Sequence, residues 1–333
     1  MWKLFLVMCC MLTLSGCEKP PVTAGPSGTA PARQKVTIAL VNQPQSTLIL
    51  VALKKGYFSD EGLDVQVLPQ ANGKLALQSM VEGKADFATV AETPIMFSIL
   101  RGERIFVIAN IETSTENDAI LARVDAGITM PSHLKGKRIG FIPGTTLDFF
   151  LDSFLTAQGL TRQEVTPVPL KSEEMLDALL AKKVDAVAAW NYPLTQIKRR
   201  LGTQTVIFYD RQIYTEHFNI AAMQDFVRQS PQTVTALLRG LVRAEAFVAS
   251  HSNEAQDMVA EAIKVDKDLV KEVWDVMSYQ VRLDQNLTIT LEDETRWAMK
   301  NKLTDQAVIP NYLSYIYVDG LKAVKPGVVR MDR

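Results

Sequence analysis

The residues best suited to bind a small molecule follow directly after short apolar segments. Trp190 offers a flat indole face for stacking and one N–H donor, and Asn191 comes next. Glu92 follows the apolar residues 87–91, where a carboxylate repels a simple anion and attracts an amine, an amidine-like nitrogen or a hydroxyl. The indole could instead be core packing and the carboxylate a solvated loop residue. As ligand groups, the three favour a neutral or cationic nitrogen heterocycle.

Two adjacent threonines provide a second kind of candidate group. Thr145 and Thr146 stand where a helix is predicted to begin, so their hydroxyl and N–H groups could hold an anionic or carbonyl oxygen. The structural alternative is helix capping, with Thr145 at the N-cap and Asp148 forming a capping-box-like pair with it. The two roles can coexist, and Ser46 begins an earlier helix in the same way.

Further ligand-binding candidates come from loops and from the segments that connect the two halves of the chain. Each of them has a structural or surface role as its alternative. These candidates are Gln45, Asn72, Gly73, Thr93, Thr113, Ser114, Tyr214 and Asn219.

Catalytic chemistry finds little support in the sequence. The histidines His133, His217 and His251 are far apart and show no metal-ligand spacing. Nucleophile-elbow, zinc-protease and Walker-type motifs are absent. We therefore expect no enzyme activity, no catalytic residue, no metal and no cofactor.

The elements that must position the candidate residues occur twice. Each copy is a strand, a polar loop, a helix, a strand, a helix, and a third strand that runs into another polar loop. Alternation of this kind predicts a mostly parallel sheet covered by helices, with ligands beyond the carboxyl ends of the strands. The four polar loops at such ends are 42–46, 91–94, 143–146 and 189–192. Three pairs of residues are separated by 99 positions: Lys84 and Lys183, Asp86 and Asp185, and Pro94 and Pro193.

The last third of the chain is predicted to be helical. Apolar residues recur there at three- and four-residue spacing, with charges between them. We expect these helices to complete the first half of the fold; the alternative is a docking module for a partner. The predicted helices are 233–249, 254–263, 266–277 and 291–303.

Composition bounds the class of protein. The chain has 333 residues, of which 47% are hydrophobic and 22% charged, as in an ordinary globular protein of about two domains. Its net charge is −1, whereas nucleic-acid-binding chains normally carry a positive surplus. Disorder and nucleic-acid binding are therefore not expected.

The N-terminus is typical of a secretory signal. Residues 1–16 hold a lysine and an apolar run of about 11 residues, too short to span a bilayer. Small residues before Cys17 resemble the lipobox of bacterial lipoproteins, in which the Cys carries lipid; the alternative is an ordinary signal with an incidental Cys. Residues 17–34, rich in Pro, Gly, Ser and Thr, then form a lipid-anchored flexible tether. After cleavage Cys17 is the one remaining cysteine, so the folded body has no disulfide.

Several motifs in a fixed order resemble one known family. They are the lipobox, the tether, the Lys-Lys-Gly-Tyr-Phe-Ser-Asp-Glu-Gly-Leu-Asp-Val segment at 54–65, Gly-Lys-Ala-Asp-Phe at 83–87 and Trp-Asn-Tyr-Pro at 190–193. Together they look like the substrate-binding lipoproteins of ABC importers, in the sulfonate, nitrate, taurine and thiamine-pyrimidine branch of the type II periplasmic binding proteins. The likeness covers about residues 35–250.

The resemblance implies an α/β fold of two lobes that are joined by two crossing strands and close over a ligand. Lobe one would comprise 35–113 and 218–333, lobe two 119–210, and the crossovers would fall near 110–119 and 209–219. The ligand would be a sulfonate-like anion or a nitrogen heterocycle, and the partner an ABC permease. The protein would be a monomer, extracytoplasmic and lipid-anchored to a bacterial membrane, in the periplasm or on the outer cell face. The alternative is a lipid-anchored receptor that signals to a membrane kinase.

Overall fold

The structure of the chain is a computed structural model that describes Trp2 and residues 33–331. The predicted signal peptide, Cys17 and the tether up to residue 32 lie outside the described residues. Within the part of the chain that is described, no helix combines the length and apolar character needed to cross a membrane.

Strands of the described residues form two five-stranded sheets and one two-stranded pair. The strands are β1 (Gln34–Val41), β2 (Leu63–Gln70), β3 (Phe87–Ala91), β4 (Ile105–Ser114), β5 (Asp118–Arg123), β6 (Arg138–Phe141), β7 (Thr166–Pro169), β8 (Ala186–Trp190), β9 (Thr205–Phe208), β10 (Glu216–Met223), β11 (Leu283–Asp284) and β12 (Val329–Arg330).

The two large sheets have the same design. The first has the order β2-β1-β3-β10-β4 and the second β7-β6-β8-β5-β9. In each sheet four strands run in one direction, and the fourth in the order (β10 or β5) is antiparallel to both of its neighbours. The chain enters the second sheet through β5 and returns to the first through β10. The predicted sheets are thus mixed rather than purely parallel, because each receives one strand directly from the crossing chain.

Helices cover the sheets, and the C-terminal ones belong with the first. Residues of α9, α10, α11 and α12 lie in the same buried apolar cluster as β1, β3 and β4. The helices are α1 (Thr47–Lys54), α2 (Tyr57–Asp60), α3 (Gly73–Val81), α4 (Glu92–Leu100), α5 (Thr146–Ala157), α6 (Met175–Leu180), α7 (Asn191–Leu201), α8 (Gln224–Gln229), α9 (Pro231–Ser250), α10 (Ser252–Ile263), α11 (Lys267–Trp274), α12 (Gln285–Lys300) and α13 (Val318–Val324).

Each sheet has its own hydrophobic core. The first cluster centres on residues such as Ile38, Phe87 and Leu237, and the second on residues such as Ile120, Phe150 and Val187. Burial of this apolar surface is the main term that stabilises each half. Phe149 of α5 packs against both clusters, and Tyr192 of α7 belongs to the first one.

Two of the four predicted polar loops are helix starts. After β3, α4 begins at Glu92, and after β8, α7 begins at Asn191, with no loop residue between strand and helix. Pro94 and Pro193 fall in the first helical turn, where a backbone N–H has no intrahelical partner to lose. The expected loops 91–94 and 189–192 are therefore wrong as loops.

Candidate functional site

A cavity lies between the two sheets, where the carboxyl ends of their strands face each other. Its empty volume is about 350 Å³, open space at the mouth included. Small-molecule sites are typically concave and lined by apolar groups with a few polar ones. The lining residues are Val41, Gln43, Gln45, Asn72, Gly73, Lys74, Ala91, Pro94, Thr145, Thr146, Trp190, Glu216 and Phe218.

The first wall of the cavity is built at the start of α3. Asn72 is the N-cap residue, and its side-chain oxygen accepts a hydrogen bond from the N–H of Leu75 at 3.1 Å. A Cβ on Gly73 would lie 3.0 Å from Cα of Val90, so only glycine lets the helix approach β3 this closely. Six of the predicted site residues line the cavity; three of them, Gln45, Asn72 and Gly73, are on this wall.

The opposite wall is built at the start of α5 and the end of β8. The indole N–H of Trp190 donates to Oγ1 of Thr146 at 2.8 Å, and that hydroxyl donates to Oδ1 of Asp118 at 3.1 Å. The N–H of Trp190 is therefore engaged within the protein, and what Trp190 presents to the cavity is its apolar ring. Thr145, Thr146 and Trp190 are the other three predicted residues that line the cavity.

The predicted capping pair at α5 does not form. Thr145 occupies the N-cap position, but its hydroxyl donates to the carbonyl of Ile142 at 2.8 Å and does not cap the helix. Asp148 reaches back past it and accepts from the N–H of Gly144 at 2.8 Å and from Arg162. The carboxylate therefore fastens the loop before the helix rather than the N-cap residue itself.

Glu216 supplies the carboxyl group of the cavity. It is the first residue of β10, is 1% exposed and lines the cavity. Its Oε2 accepts from Nδ2 of Asn117 at 2.9 Å and lies 3.3 Å from Oγ1 of Thr146. The side chains of Gln45 and Asp118 also form hydrogen bonds with this carboxyl group. The protein therefore holds the Glu216 side chain from several directions.

Glu92, the acid singled out in the sequence, is completely buried and does not line the cavity. Its Oε1 accepts from the hydroxyl of Tyr214 and its Oε2 accepts from the N–H of His217 at 2.8 Å. The side chain therefore ties the start of α4 to the beginning of β10, one residue from Glu216. Glu92 is not a solvated loop residue.

Five buried carboxyl groups lie around the crossover strands: Glu92, Glu112, Asp118, Glu216 and Glu294. Burial raises the pKa of Glu216 to about 7 and that of Glu294 to about 8. Burial and the neighbouring acids also raise the pKa of Glu92, Glu112 and Asp118 well above their usual range. Burial thus favours the protonated form of each of these acids. The described residues contain no group of His, Cys, Asp and Glu placed to hold a metal ion.

The remaining predicted site residues do not line the cavity. Most of their polar groups are engaged within the protein. Ser46 donates to the carbonyl of Val41 at 2.6 Å, Thr93 donates to Glu294, Ser114 donates to the carbonyl of Val276 at 2.6 Å, the N–H of Asn191 donates to the carbonyl of Asn117 at 2.5 Å, Tyr214 donates to Glu92, Thr113 accepts from Arg282 at 3.1 Å, and Asn219 donates to the carbonyl of His217 at 2.6 Å.

Direct contacts join the two halves beside the cavity. Nζ of Lys74 donates to the carbonyl of Pro143 at 2.8 Å, and the indole N–H of Trp297 donates to Oδ2 of Asp152 at 2.8 Å. Burial lowers the pKa of Lys74. The contacts bridge α3 to the loop before α5, and α12 to α5 itself, so the cavity is held between two opposed surfaces.

Several lining residues were not singled out from the sequence, notably Gln43, Lys74 and Glu216. Glu216 falls within the predicted crossover segment 209–219, and Glu112 and Asp118 fall within the other one, 110–119. Acidic residues inside otherwise apolar strands were the available signal, since burying a carboxyl group needs a specific reason.

This arrangement defines a class of protein. Two sheets of one design, two crossing strands and a cavity between the strand ends are the two-lobed α/β fold of the periplasmic binding proteins. The predicted fold class is confirmed. A family model described as NMT1/THI5 like matches residues 43–255, so the chain belongs to the NMT1/THI5-like family.

Solved structures share the fold at low sequence identity. The periplasmic aliphatic sulphonate binding protein SsuA from Escherichia coli superposes with a TM-score of 0.73 at 15% identity, covering 87% of this chain and 99% of that one. The periplasmic nitrate-binding protein NrtA from Synechocystis has a TM-score of 0.72 at 14% identity, with 90% of each chain covered.

Curated relatives are similar over most of the folded region. A protein of Brucella abortus named as a binding protein is 25% identical over 228 residues, 67% of this chain and 69% of the relative. A Bacillus subtilis protein named as an aliphatic sulfonates-binding protein is 24% identical over 275 residues, 81% of each. A relative from Legionella pneumophila, 21% identical over 237 residues, 69% of this chain and 74% of the relative, is named as 4-amino-5-hydroxymethyl-2-methylpyrimidine phosphate synthase. The predicted family is confirmed, and its named members are mostly binding proteins.

Proposed function

We propose that this chain is an extracytoplasmic solute-binding lipoprotein that closes over a small polar organic ligand and delivers it to the permease of an ABC importer. The observation that carries the proposal is the cavity at the facing strand ends, lined from both sheets by Gln45, Asn72, Thr146 and Trp190. The names of the family members agree with a solute-binding role. In this role the protein works as a monomer.

Closure follows from the way the cavity is bridged. Lys74 and Trp297 each donate one hydrogen bond across the gap between the halves. A ligand that touches both walls adds contacts which exist only when the walls are close, so it shifts the population toward the closed state. The crossover segments between β4 and β5 and between β9 and β10 are the hinge.

The ligand leaves this protein chemically unchanged. Thr146 and Trp190 are hydrogen-bonded to one another, and no histidine or cysteine lines the cavity. His217 is buried outside the lining, and burial lowers its pKa to about 4, so it is a poor proton acceptor at neutral pH. We therefore assign recognition and release, and no catalysis, to this site.

The anchor is lipid on Cys17. An acylated cysteine followed by a flexible tether keeps the folded body beside the membrane that carries its permease, and two or more acyl chains exceed the marginal anchoring of a single one. Labelled palmitate should be incorporated into the expressed chain and should be absent from a Cys17→Ser variant. Label that persists in the variant contradicts the anchor.

Ligand-induced stabilisation tests the receptor function. We expect at least one probe from a panel of sulfonates, nitrate, aminopyrimidines, amidines and polyamines to raise the melting temperature of the Cys17→Ser chain. A ligand at about 100 times its Kd adds about 2.7 kcal/mol, which is roughly 5 °C for a chain of this size. The Trp190→Ala variant should lose most of the shift. If no probe of any class stabilises the protein, the receptor function is rejected.

A further inference from the structure

Two buried acids contact each other at the crossover segments. Asp118 is the first residue of β5 and Glu216 is the first residue of β10, so each lies where a crossover enters a sheet. The two residues are 3% and 1% exposed, and their side chains form a hydrogen bond with one another. A carboxylate has no hydrogen to donate, so this bond requires that one of the two acids carries a proton.

The neighbouring donors hold the pair without separating its carboxyl groups. Oγ1 of Thr146 lies 3.1 Å from Oδ1 of Asp118 and 3.3 Å from Oε2 of Glu216, but a hydroxyl has one hydrogen and serves one acceptor. Asn117 donates to Oε2 of Glu216 at 2.9 Å, and the side chain of Gln45 also bonds to that carboxyl group. Without the shared proton, two negative charges would lie in contact in a buried place, where their repulsion is strong.

The titratable groups around the pair do not neutralise it. Burial lowers the pKa of His217 to about 4, so this neighbour is uncharged at neutral pH. Nζ of Lys74 is bonded to the carbonyl of Pro143, and Arg282 acts on Glu112. The groups that face the pair from β4, α3, α4, α12, β10 and the segment before β11 are Glu112, Lys74, Glu92, Glu294, His217 and Arg282.

The pair holds its proton in weakly acidic solution. Burial is the main cause that raises the pKa of Glu216 to about 7, and burial followed by repulsion from Glu216 raises the pKa of Asp118 well above its usual range. Their mutual hydrogen bond adds to the raised pKa of Asp118 and opposes that of Glu216, so Asp118 is the donor. As pH rises above neutral, the shared proton is lost.

Opening of the cavity exposes the pair to water. Glu216 lines the cavity, and its neighbours come from both halves, Gln45 from the turn before α1 and Thr146 from the start of α5. When the halves move apart, these neighbours separate and water reaches the carboxyl groups. Hydration returns the pKa of a buried acid toward its ordinary value, so the closed form binds the proton more tightly than the open form. A proton therefore shifts the population toward the closed form.

We propose that the Asp118–Glu216 pair is a proton-operated switch of closure, in which a proton shared by the two acids favours the closed form and its loss favours the open form. The chemical step is an acid–base equilibrium: the O–H bond of Asp118 breaks and the proton leaves to solvent water. The inference rests on the proposed function, since closure is the step by which the receptor holds its ligand. It adds regulation, with binding favoured in weakly acidic surroundings and release favoured as pH rises.

Small-angle X-ray scattering of the unliganded Cys17→Ser chain tests the switch. The chain is measured between about pH 5.5 and about pH 8.5, on either side of the pKa at which the pair loses its proton. We expect the radius of gyration, about 20 Å for a compact chain of this length, to be about 1 Å larger at the upper pH than at the lower one. The far-UV circular dichroism spectrum should stay the same, because the halves separate without unfolding.

Two amide variants replace the shared proton by an amide hydrogen. In Asp118→Asn the side-chain oxygen still accepts from Thr146, so the N–H₂ group faces Glu216 and donates to it at every pH. Glu216→Gln does the same from the other side, because its oxygen accepts from Asn117. Each variant should lose most of the pH-dependent change in radius, and either one suffices if the other does not fold. The matched control is Glu294→Gln, which alters a buried acid outside the pair and should keep the change.

The outcomes separate the switch from the receptor function. The switch is overturned if the radius does not change with pH, if the change is accompanied by loss of secondary structure, or if it is equally large in both amide variants. It is also overturned if the Glu294→Gln variant loses the change to the same extent. Stabilisation by the ligand panel at a single pH is a separate measurement: the receptor function stands if one probe stabilises the chain, whatever the scattering shows, and is rejected if none does.

Discussion

Two helix starts separated by 99 positions, at Thr47 and Thr146, show how one design serves two purposes. The hydroxyl of Thr47 donates to the carbonyl of Pro44 at 2.7 Å, within its own turn. The hydroxyl of Thr146 donates to Asp118 and accepts from Trp190. The residue 99 positions before Trp190 is Ala91, which has no donor to offer. The same scaffold position is therefore structural in the first half and part of the cavity wall in the second.

At a second pair of equivalent positions, two different residues have the same structural role. Glu92 and Asn191 are both the first residue of the helix that follows the third strand of their copy, and both are buried. Glu92 holds the N–H of His217, and the N–H of Asn191 is bonded to the carbonyl of Asn117. Each fastens its helix to a crossover segment. Glu92 does this with its side chain and Asn191 with its backbone N–H, so two different groups serve one structural task, whereas the identical side chains of Thr47 and Thr146 serve two different ones.

Position in the repeat thus fixes which backbone a residue approaches, whereas the neighbouring side chains decide whether the residue reaches the cavity. The second sheet contributes an aromatic ring and hydroxyl groups, the returning crossover contributes Glu216, and the first sheet contributes Gln45, Asn72 and Lys74. An asymmetric lining built on a symmetric frame can recognise a ligand with two chemically different ends.

Paired valine substitutions test this comparison with the largest expected effect. Thr146→Val leaves the indole N–H of Trp190 and Oδ1 of Asp118 without their partner, so we expect ligand affinity to fall about tenfold to hundredfold and stability to fall by about 1–3 kcal/mol. Thr47→Val removes only hydrogen bonds outside the lining, and we expect a stability loss of about 1 kcal/mol with affinity within twofold. Calorimetric titration and urea unfolding measure both quantities. Equal losses of affinity in the two variants would refute the asymmetry.

The buried acids predict a pH dependence of stability. Glu216 and Glu294 have folded-state pKa values of about 7 and about 8, above the ordinary value near 4.5. Between these limits the folded chain binds more protons than the unfolded chain, so stability falls as pH rises from about 5 to about 8. A single such carboxyl group accounts for at most about 1.4 kcal/mol per pH unit.

Glu294→Gln isolates one of these groups. The amide can still accept the hydrogen bond from Thr93 but cannot ionise, so the variant should lose less stability than the unaltered chain between about pH 5 and about pH 8, by roughly 1–3 kcal/mol. Urea unfolding across that range is the measurement, and Glu254→Gln, an exposed glutamate on α10, is the control. Identical slopes for the Glu294→Gln variant and the unaltered chain would mean that Glu294 is charged in the fold.

Much of the frame was predictable from the sequence because its signals are local. Short apolar runs ended by polar residues located the strands. The spacing of apolar residues located the helices α9 to α12, and most of their predicted ends lie within a few residues of the observed ones. The starts of α4 and α7 were missed because a proline three residues into a helix looks like a loop residue, although the first helical turn accepts it.

The carboxyl group of the cavity was harder to predict. Glu92 was singled out because it follows a buried strand, but in the fold it faces Tyr214 and His217. Glu216 is the first residue of β10, whose pairing partners β3 and β4 come from distant parts of the chain. Its burial depends on those contacts, and no local pattern contains them. Ligand contact by Glu92 stays a prediction.

Substitution of Asp86 or Asp185, the aspartates separated by 99 positions, has the smallest expected effect. It tests whether the two sheets are built in the same way. Asp86 accepts from the N–H of Thr37 at 2.7 Å, and Asp185 accepts from the N–H of Arg138 at 2.9 Å. Each carboxylate thereby fastens the beginning of the neighbouring strand, β1 or β6, in its own sheet. Asp86→Ala and Asp185→Ala should each lower the free energy of unfolding by about 1–2 kcal/mol and leave ligand affinity unchanged, because neither residue lines the cavity.

One contact distinguishes the two aspartates. The guanidinium of Arg138 also binds Asp185, and this hydrogen bond lowers the pKa of the carboxyl group. The stabilisation is present above the ordinary aspartate pKa near 3.9 and is lost as pH falls through the lower, folded-state value. Because the guanidinium is exposed, the pair adds little stability and is screened by salt. In about 0.5 M NaCl, urea unfolding of the Asp86→Ala and Asp185→Ala variants should therefore give equal losses of stability. A difference that remains at this salt concentration would mean that the carboxylates fasten β1 and β6 in different ways.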